Sequence, residues 1–530
     1  MNSDASVSPA PSPCRQAQRL IAEKQPAQAR VVLEAHLALQ PRDVEARVLL
    51  SGVLLDLGDL RAATAQLLEA VPALPDEPAL IAKLARYLFL AGESVAARAC
   101  FDHPTVAATR SGPALANLGY VRQMLGESAP ALELMERAHA AGVDSADLHY
   151  YLGLLCDFNG RPEQAADHFL TCLAKDPSDG RAMLQWARTQ RVTPATQHLE
   201  AIRLALRSVE PGSVRHASFE FALYKELEDL GEYDEAWRAL HRANGIMRTR
   251  NPYNPRYEAA LTDAIVALPL GEAGGADRPP PPGPTPIFIV GLPRSGTTLL
   301  ERVLGNHSSI HPAGELTDFY RQLRWMTNRH GHRTIDPGVL GRCTEIDFAE
   351  LGRRYLQQTQ WRAQGRAYYV DKMPVNFQLV GLIRRALPHA PILHMKREPV
   401  EACFSNYKAM FNDACAYSYD LPGLADYHHH YQRLMDHWHA ACPGAVLDVS
   451  YTALVRQPEV TVRRILAFCG LPFEARCIDT SRNDQPVSTL SSAQVREPIH
   501  ARGLEDWKRY AAQLEPLREA LAGTGDPGGA

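Results

Sequence analysis

The chain has 530 residues, more than one hydrophobic core usually organises, so two or three domains are expected. Apolar residues make up 45% and charged residues 22%, the balance of a folded chain, and no apolar run approaches the roughly 20 residues of a membrane-spanning helix. A formal charge of -4 offers no basic footprint for nucleic acid, although a local basic pocket for a small anion remains open. The ten cysteines are scattered without CxxC pairs, which suits reduced thiols and a cytoplasmic location.

Residues 1–14, MNSDASVSPAPSPC, are polar and contain proline without an apolar core. They read as a disordered start and not as a signal peptide. From 15 to 270 a repeat dominates. Glycines 58, 92, 126 and 160 recur every 34 residues in "DLGDL", "LAGES", "MLGES" and "FNGRP". Seven positions before each stands a small residue (Ser51, Ala85, Gly119, Gly153), five after it an alanine, and nine after it a large apolar residue (Leu67, Phe101, Met135, Phe169). Small residues let two helices approach, the glycine ends the first helix, and the large residue is expected to fill the space between neighbouring pairs. The pattern resembles the tetratricopeptide repeat, with weaker copies near 15–40 and at Gly231 and Ala236 in "DLGEYDEAW". The resemblance implies an all-α solenoid whose concave face takes a protein or peptide; a spacer or homo-oligomerisation arm is the alternative.

Residues 271–286, GEAGGADRPPPPGPTP, forbid helix and central strand and read as a linker. Beyond it, from 287 to 525, short apolar strands in "PIFIVG", "AYYVDK", "PILHMKR" and "AVLDVSY" alternate with amphipathic helical stretches. That alternation predicts an α/β domain with a central parallel sheet. Its first strand runs into "GLPRSGTT", where Gly291 and Gly296 permit a tight wrap and Ser295, Gly296, Thr297 and Thr298 aim amides and hydroxyls at a phosphate from a helix start. The cation is Arg294, and the GK[ST] ending of a nucleotide kinase is absent. For a metal-dependent phosphotransferase only Asp371 offers a carboxylate after a strand.

The loop resembles the 5'-phosphosulfate loop of sulfotransferases, specifically the tyrosylprotein branch and bacterial relatives fused to tetratricopeptide repeats. A second segment, "PILHMKREPVEACFSNYKAMF", carries Arg397 at a turn and Ser405 eight residues on, the pairing that family uses for a 3'-phosphate. The resemblance implies a P-loop-like domain and 3'-phosphoadenosine-5'-phosphosulfate (PAPS) as donor, with no metal required. It assigns Glu315 in "HPAGELTDF" as general base, with His311 as the rival. Arg294 and Lys372, the latter 25 residues before Arg397, would neutralise the leaving phosphate. Ser491, or Ser492 by a one-residue shift, and Lys508 or Arg509 would cover the nucleotide, whereas "LDVSYTALVRQPEVTVRRILAFCGLPFE" reads as scaffold.

A glutamate base and an attached solenoid favour tyrosine in a protein or peptide as acceptor. A carbohydrate or small-molecule acceptor, a P-loop phosphotransferase and an inactive repeat scaffold are the competing readings. The histidines of "YHHHYQRLMDHWH" point in different directions on a helix, so no metal site is expected there; Tyr427, Leu434 and Trp438 follow the helical spacing of a buried face.

Overall fold

The structure, a computed structural model, describes residues 12–270, 281–479, 499 and 502–523, the last stretch by backbone alone at 502 and 503. The last three residues of the stretch read as a disordered start belong to a capped helix. Ser12 accepts the Arg15 N–H at 3.4 Å and caps a helix Pro13–Ala22, a position where proline's missing N–H goes unused. Residues 1–11 of that stretch lie outside the described residues.

Helical hairpins follow in series: Pro26–Leu39 after the first helix, then Val44–Asp56 with Leu60–Ala70, Gly112–Met124 with Ser128–Ala140, and Ala146–Phe158 with Pro162–Lys175. Each repeat glycine has a left-handed φ between 77° and 87°, the conformation that ends a helix where a side chain would strain it. The third hairpin is irregular, its second helix Ser94–Ala99 giving way to a 3-10 turn before Pro104. One expectation is corrected. At two of the four positions the large residue fills a hole within its own hairpin, since a Cβ on Gly153 would lie 2.5 Å from the Phe169 ring and one on Gly119 3.0 Å from Met135, whereas the Phe101 ring meets Arg122 of the next hairpin at 4.0 Å, as expected. A missing side chain on the first helix leaves space that the facing residue of the second must occupy.

The C-terminal sheet has five parallel strands, β1 (Thr285–Gly291), β2 (Ile310–Pro312), β3 (Tyr368–Asp371), β4 (Ile392–Lys396) and β5 (Val446–Ser450), ordered β2-β3-β1-β4-β5. The strand therefore takes in Thr285 and Pro286, the end of the stretch read as linker, in register with Tyr368 and Tyr369. Residues 271–280 of that stretch lie outside the described residues. Alternate β1 residues feed two cores: Phe288 and Val290 face Phe319 and Tyr355, while Ile287 and Ile289 join the core with Leu300, Val303 and Ile465. Burial on both faces explains the continuous apolar run of "PIFIV".

The repeats are packed against this domain, not merely tethered to it. Their last helices share one apolar core with the sheet domain, Phe219, Leu240 and Met247 lying in the same cluster as Tyr407 and Trp438. Further up the solenoid the contact is polar. Glu93, in the turn after a repeat glycine, accepts from Arg354 Nη2 at 2.6 Å and Gln358 Nε2 at 2.8 Å, both on the helix Phe348–Thr359. Ser94 Oγ donates to Asp318 at 2.8 Å and Gln322 Nε2 to the Gly92 carbonyl at 2.6 Å.

Candidate active site

Ligands of open parallel sheets settle where neighbouring connections leave in opposite directions, beyond the carboxyl ends of the strands. Here β1 leads to β2 on one side and β4 to β5 on the other, so the switch lies between β1 and β4. The two motif-bearing loops are the ones that emerge there. A Cβ on Gly291 (φ 150°) would stand 2.7 Å from the Met395 carbonyl of β4, and one on Gly296 (φ 106°) 2.4 Å from the Tyr451 ring. Glycine at both positions lets the loop turn back over the sheet edge. The helix Thr297–Gly305 then starts with no side-chain cap, and Ser295 Oγ is buried without a hydrogen-bond partner among the described residues. A phosphate or sulfate is the group such a terminus accommodates.

Arg397 follows β4. Its Nη1 donates to the Arg294 carbonyl at 3.1 Å, its Nε to Glu401 at 3.2 Å, and its guanidinium lies 4.7 Å from the centre of the Tyr451 ring. Ser405 sits two helical turns on, in Pro399–Tyr407. The Glu505 N–H donates to Glu401 Oε1 at 2.8 Å, which brings the C-terminal segment back over the second loop.

On the other side of the first loop, Glu315 stands in the turn between β2 and the helix Asp318–Thr327, its side chain 44% exposed. It accepts from Lys372 Nζ at 2.6 Å, and Lys372 is fully buried at the end of β3. The same turn is fastened twice more: the Lys372 N–H donates to the Gly314 carbonyl at 3.0 Å, and Glu301 accepts the Gly314 N–H at 2.8 Å. Burial pushes the Glu301 carboxyl up, against the pull of Lys372 and the Gly314 amide.

Arg294, Gly296, Thr297, Thr298, Glu315, Arg397 and Ser405 line a single cavity of about 1550 Å³, whose opposite wall includes Phe158, Arg188 and Tyr224 of the repeat region. Lys372 reaches it only through Glu315, and Ser295 lies behind the loop. Arg294 has a left-handed φ of 63°, and burial, then the nearby Arg188 and Arg397, lower its pKa to about 10. Of the two C-terminal cations left open, Arg509 lines the cavity, whereas Lys508 points to Glu505 at 2.8 Å. Ser491 and Ser492 lie outside the described residues.

His311 is buried on β2 and does not line the cavity; burial and then Arg366 lower its pKa to about 4. Asp371 is turned away as well, receiving the Tyr355 hydroxyl at 2.8 Å in the core. The histidine-rich stretch is one helix, Leu421–Ala441, with Tyr427, Leu434 and Trp438 buried as their spacing suggested. Its His439 and the β4 residue His394 both meet Asp448, at 2.9 and 2.7 Å, a convergence invisible in sequence. Among the lining residues that escaped the sequence reading, three bear on the chemistry. Tyr451 sits in a stretch taken as scaffold, while Arg188 and Tyr224 belong to repeats.

Comparison with known proteins agrees with this architecture. The sulfotransferase family profile matches residues 286–475 and the tetratricopeptide-repeat profile residues 20–87. An uncharacterized protein of Aquifex aeolicus (strain VF5) is 29% identical over 374 residues, 68% of this chain and 48% of that protein. The chain thus spans about half the length of that relative. Protein-tyrosine sulfotransferase 1 of Danio rerio is 24% identical over 42% of this chain and 65% of its own length, and the protein-tyrosine sulfotransferase of Drosophila melanogaster 24% over 42% and 46%. A solved sulfotransferase domain from the Synechococcus PCC 7002 olefin synthase aligns over 47% of this chain and 98% of its own, at 19% identity and a TM-score of 0.32. The C-terminal part of the chain is a sulfotransferase-family domain, and it follows a region of tetratricopeptide repeats.

Proposed function

We propose that the protein is a sulfotransferase that moves the sulfuryl group of PAPS to a hydroxyl, with tyrosine in a protein or peptide as the acceptor. The observation that carries this reading is the convergence of the Arg294 and Arg397 loops at the switch between β1 and β4, with Glu315 exposed in the same cavity. In the proposed reaction the amides of 295–298, the hydroxyls of Thr297 and Thr298, and Arg294 hold the 5'-phosphosulfate, and Arg397 with Ser405 takes the 3'-phosphate. Glu315 accepts the acceptor's proton as its oxygen bonds to sulfur. The bond from sulfur to the bridging oxygen breaks, and its electron pair stays on the 5'-phosphate.

Lys372, expected from sequence to neutralise the leaving phosphate, is buried outside the cavity lining and paired with Glu315, so its proposed role becomes to orient Glu315, and Ser491 is assigned to cover the nucleotide. Asp371 faces the core, so the phosphotransferase alternative has no carboxylate from this strand in the cavity. The repeats are proposed to present a protein or peptide acceptor, because their helices form the wall opposite the loop. A cytoplasmic site of action fits ten cysteines that are all unpaired.

Calorimetric titration of the full chain with adenosine 3',5'-bisphosphate and with ATP tests the donor: the bisphosphate should bind and ATP should not compete. Mass spectrometry of products from PAPS with tyrosine peptides, sugars and simple phenols tests the acceptor. Labelling of sugars alone would remove the tyrosine assignment and leave the donor assignment standing.

A further inference from the structure

We infer that Arg188, from the repeat region, is a second guanidinium for the transferring sulfuryl group, so that the reaction site is shared between the repeats and the sulfotransferase domain. The inference rests on the PAPS reading above. Arg188 occupies the last turn of the helix Gly180–Thr189 and lines the same cavity as Arg294, Glu315 and Arg397. Three other lining cations face carboxylates, Lys225 pairing with Asp229 at 2.5 Å, Lys408 with Glu228 at 3.6 Å and Arg333 with Glu258 at 3.5 Å, and Arg191, which also lines the cavity, is exposed to solvent where Arg188 is half-buried. Arg188 has neither a hydrogen bond nor an ion pair among the described residues, and the phenols of Tyr150 and Tyr224 are the groups that act on it electrostatically.

A half-buried guanidinium without a counter-charge is an unfavourable arrangement unless an anion visits it. Burial lowers the Arg188 pKa to about 10, and Arg188 in turn lowers that of Arg294 more than Arg397 does. Two cations that repel one another across an open cavity both gain from an anion placed between them. The 3'-phosphate is taken by Arg397 and Ser405, and the 5'-phosphate lies on the amides of the loop. The anionic group that extends from the loop toward the repeat wall is the sulfuryl. Arg188 would donate N–H bonds to its non-bridging oxygens and exchange no bond or proton itself.

The test uses the full chain with Arg188→Met and Arg188→Lys. Contact with the sulfuryl predicts that affinity for PAPS falls about tenfold or more while affinity for adenosine 3',5'-bisphosphate, which lacks that group, stays within about twofold. Turnover should fall by about 10² on charged and neutral acceptors alike, with Arg188→Lys recovering part of it. The thermal midpoint should hold or rise, because no partner is orphaned. Equal weakening of both nucleotides would place Arg188 in the nucleotide site, and a loss confined to anionic acceptors would place it on the acceptor; either result overturns the inference, as does unchanged turnover. Failure of the unaltered chain to bind either nucleotide would sink the donor reading itself and is seen before any variant is made.

Discussion

Lys372 Nζ donates to Glu315 Oε1 at 2.6 Å, joining a fully buried lysine at the end of β3 to a carboxylate that faces the cavity. The pair fixes where the carboxylate sits and leaves its outer oxygen for an acceptor. Glu315→Gln should therefore keep bisphosphate affinity and lower turnover by about 10² to 10⁴, the span of a lost general base. Single-turnover rates beside a calorimetric titration read both quantities, and full activity in this variant would move the base elsewhere.

Arg397 donates to Glu401 and to the carbonyl of Arg294 and lies over the Tyr451 ring. Arg397→Ala should weaken adenosine 3',5'-bisphosphate by about 1.5 to 3 kcal/mol, the value of a charged hydrogen bond. Adenosine 5'-phosphosulfate, lacking the 3'-phosphate, should lose less. Equal loss would mean that the arginine acts by holding the Arg294 loop and not by touching the phosphate.

Gly296→Ala is expected to abolish donor binding while the fold persists. A methyl group at φ 106° would sit 2.4 Å from the Tyr451 ring, so either the ring leaves Arg397 or the loop opens. Far-ultraviolet circular dichroism like that of the unaltered chain, with no calorimetric signal for the bisphosphate, is the outcome sought; retained binding would show that the loop tolerates a wider turn.

Glu93→Ala should destabilise the chain by about 1.5 to 3 kcal/mol, because Arg354 and Gln358 would lose the buried carboxylate they share while Arg354 keeps Gln322 Oε1 and the Trp325 ring. Urea unfolding followed by tryptophan fluorescence and by circular dichroism measures it. A loss below about 1 kcal/mol would assign the pair the weight of an exposed ion pair.

His311 and His428 are both buried, with pKa values lowered to about 4 by burial first and then by Arg366 and His429 respectively. The unfolded chain binds more protons than the folded one between about pH 4 and the ordinary histidine value near 6.5, so stability from these groups is full above that window and is lost as pH falls through it. The urea midpoint should drop between pH 7 and pH 5, and His311→Gln should flatten that drop. An equally steep drop in the variant would assign the acid sensitivity to other groups.

What the sequence determined by itself was local and periodic. The 34-residue recurrence placed the hairpins because each glycine must turn left-handed where a helix ends. The apolar runs placed the parallel strands, and "GLPRSGTT" with "KREPVEACFS" marked the two loops, since the backbone of a strand–turn–helix unit is dictated by neighbours in the chain. Tertiary structure alone decided which residues meet. Met135 and Phe169 close on their own hairpins because packing fills the nearest hole. Glu93, which reads as mere repeat punctuation in "LAGES", became half of a buried ion pair with a residue 261 positions away. Lys372 at a strand end carries no mark of burial, Tyr451 reads as scaffold, and Arg188 reads as one more helical arginine. Their proximity to the loop arises only when the solenoid docks on the sheet domain or β5 closes beside β4, and contacts between distant segments depend on how whole elements pack, which no short stretch of sequence encodes.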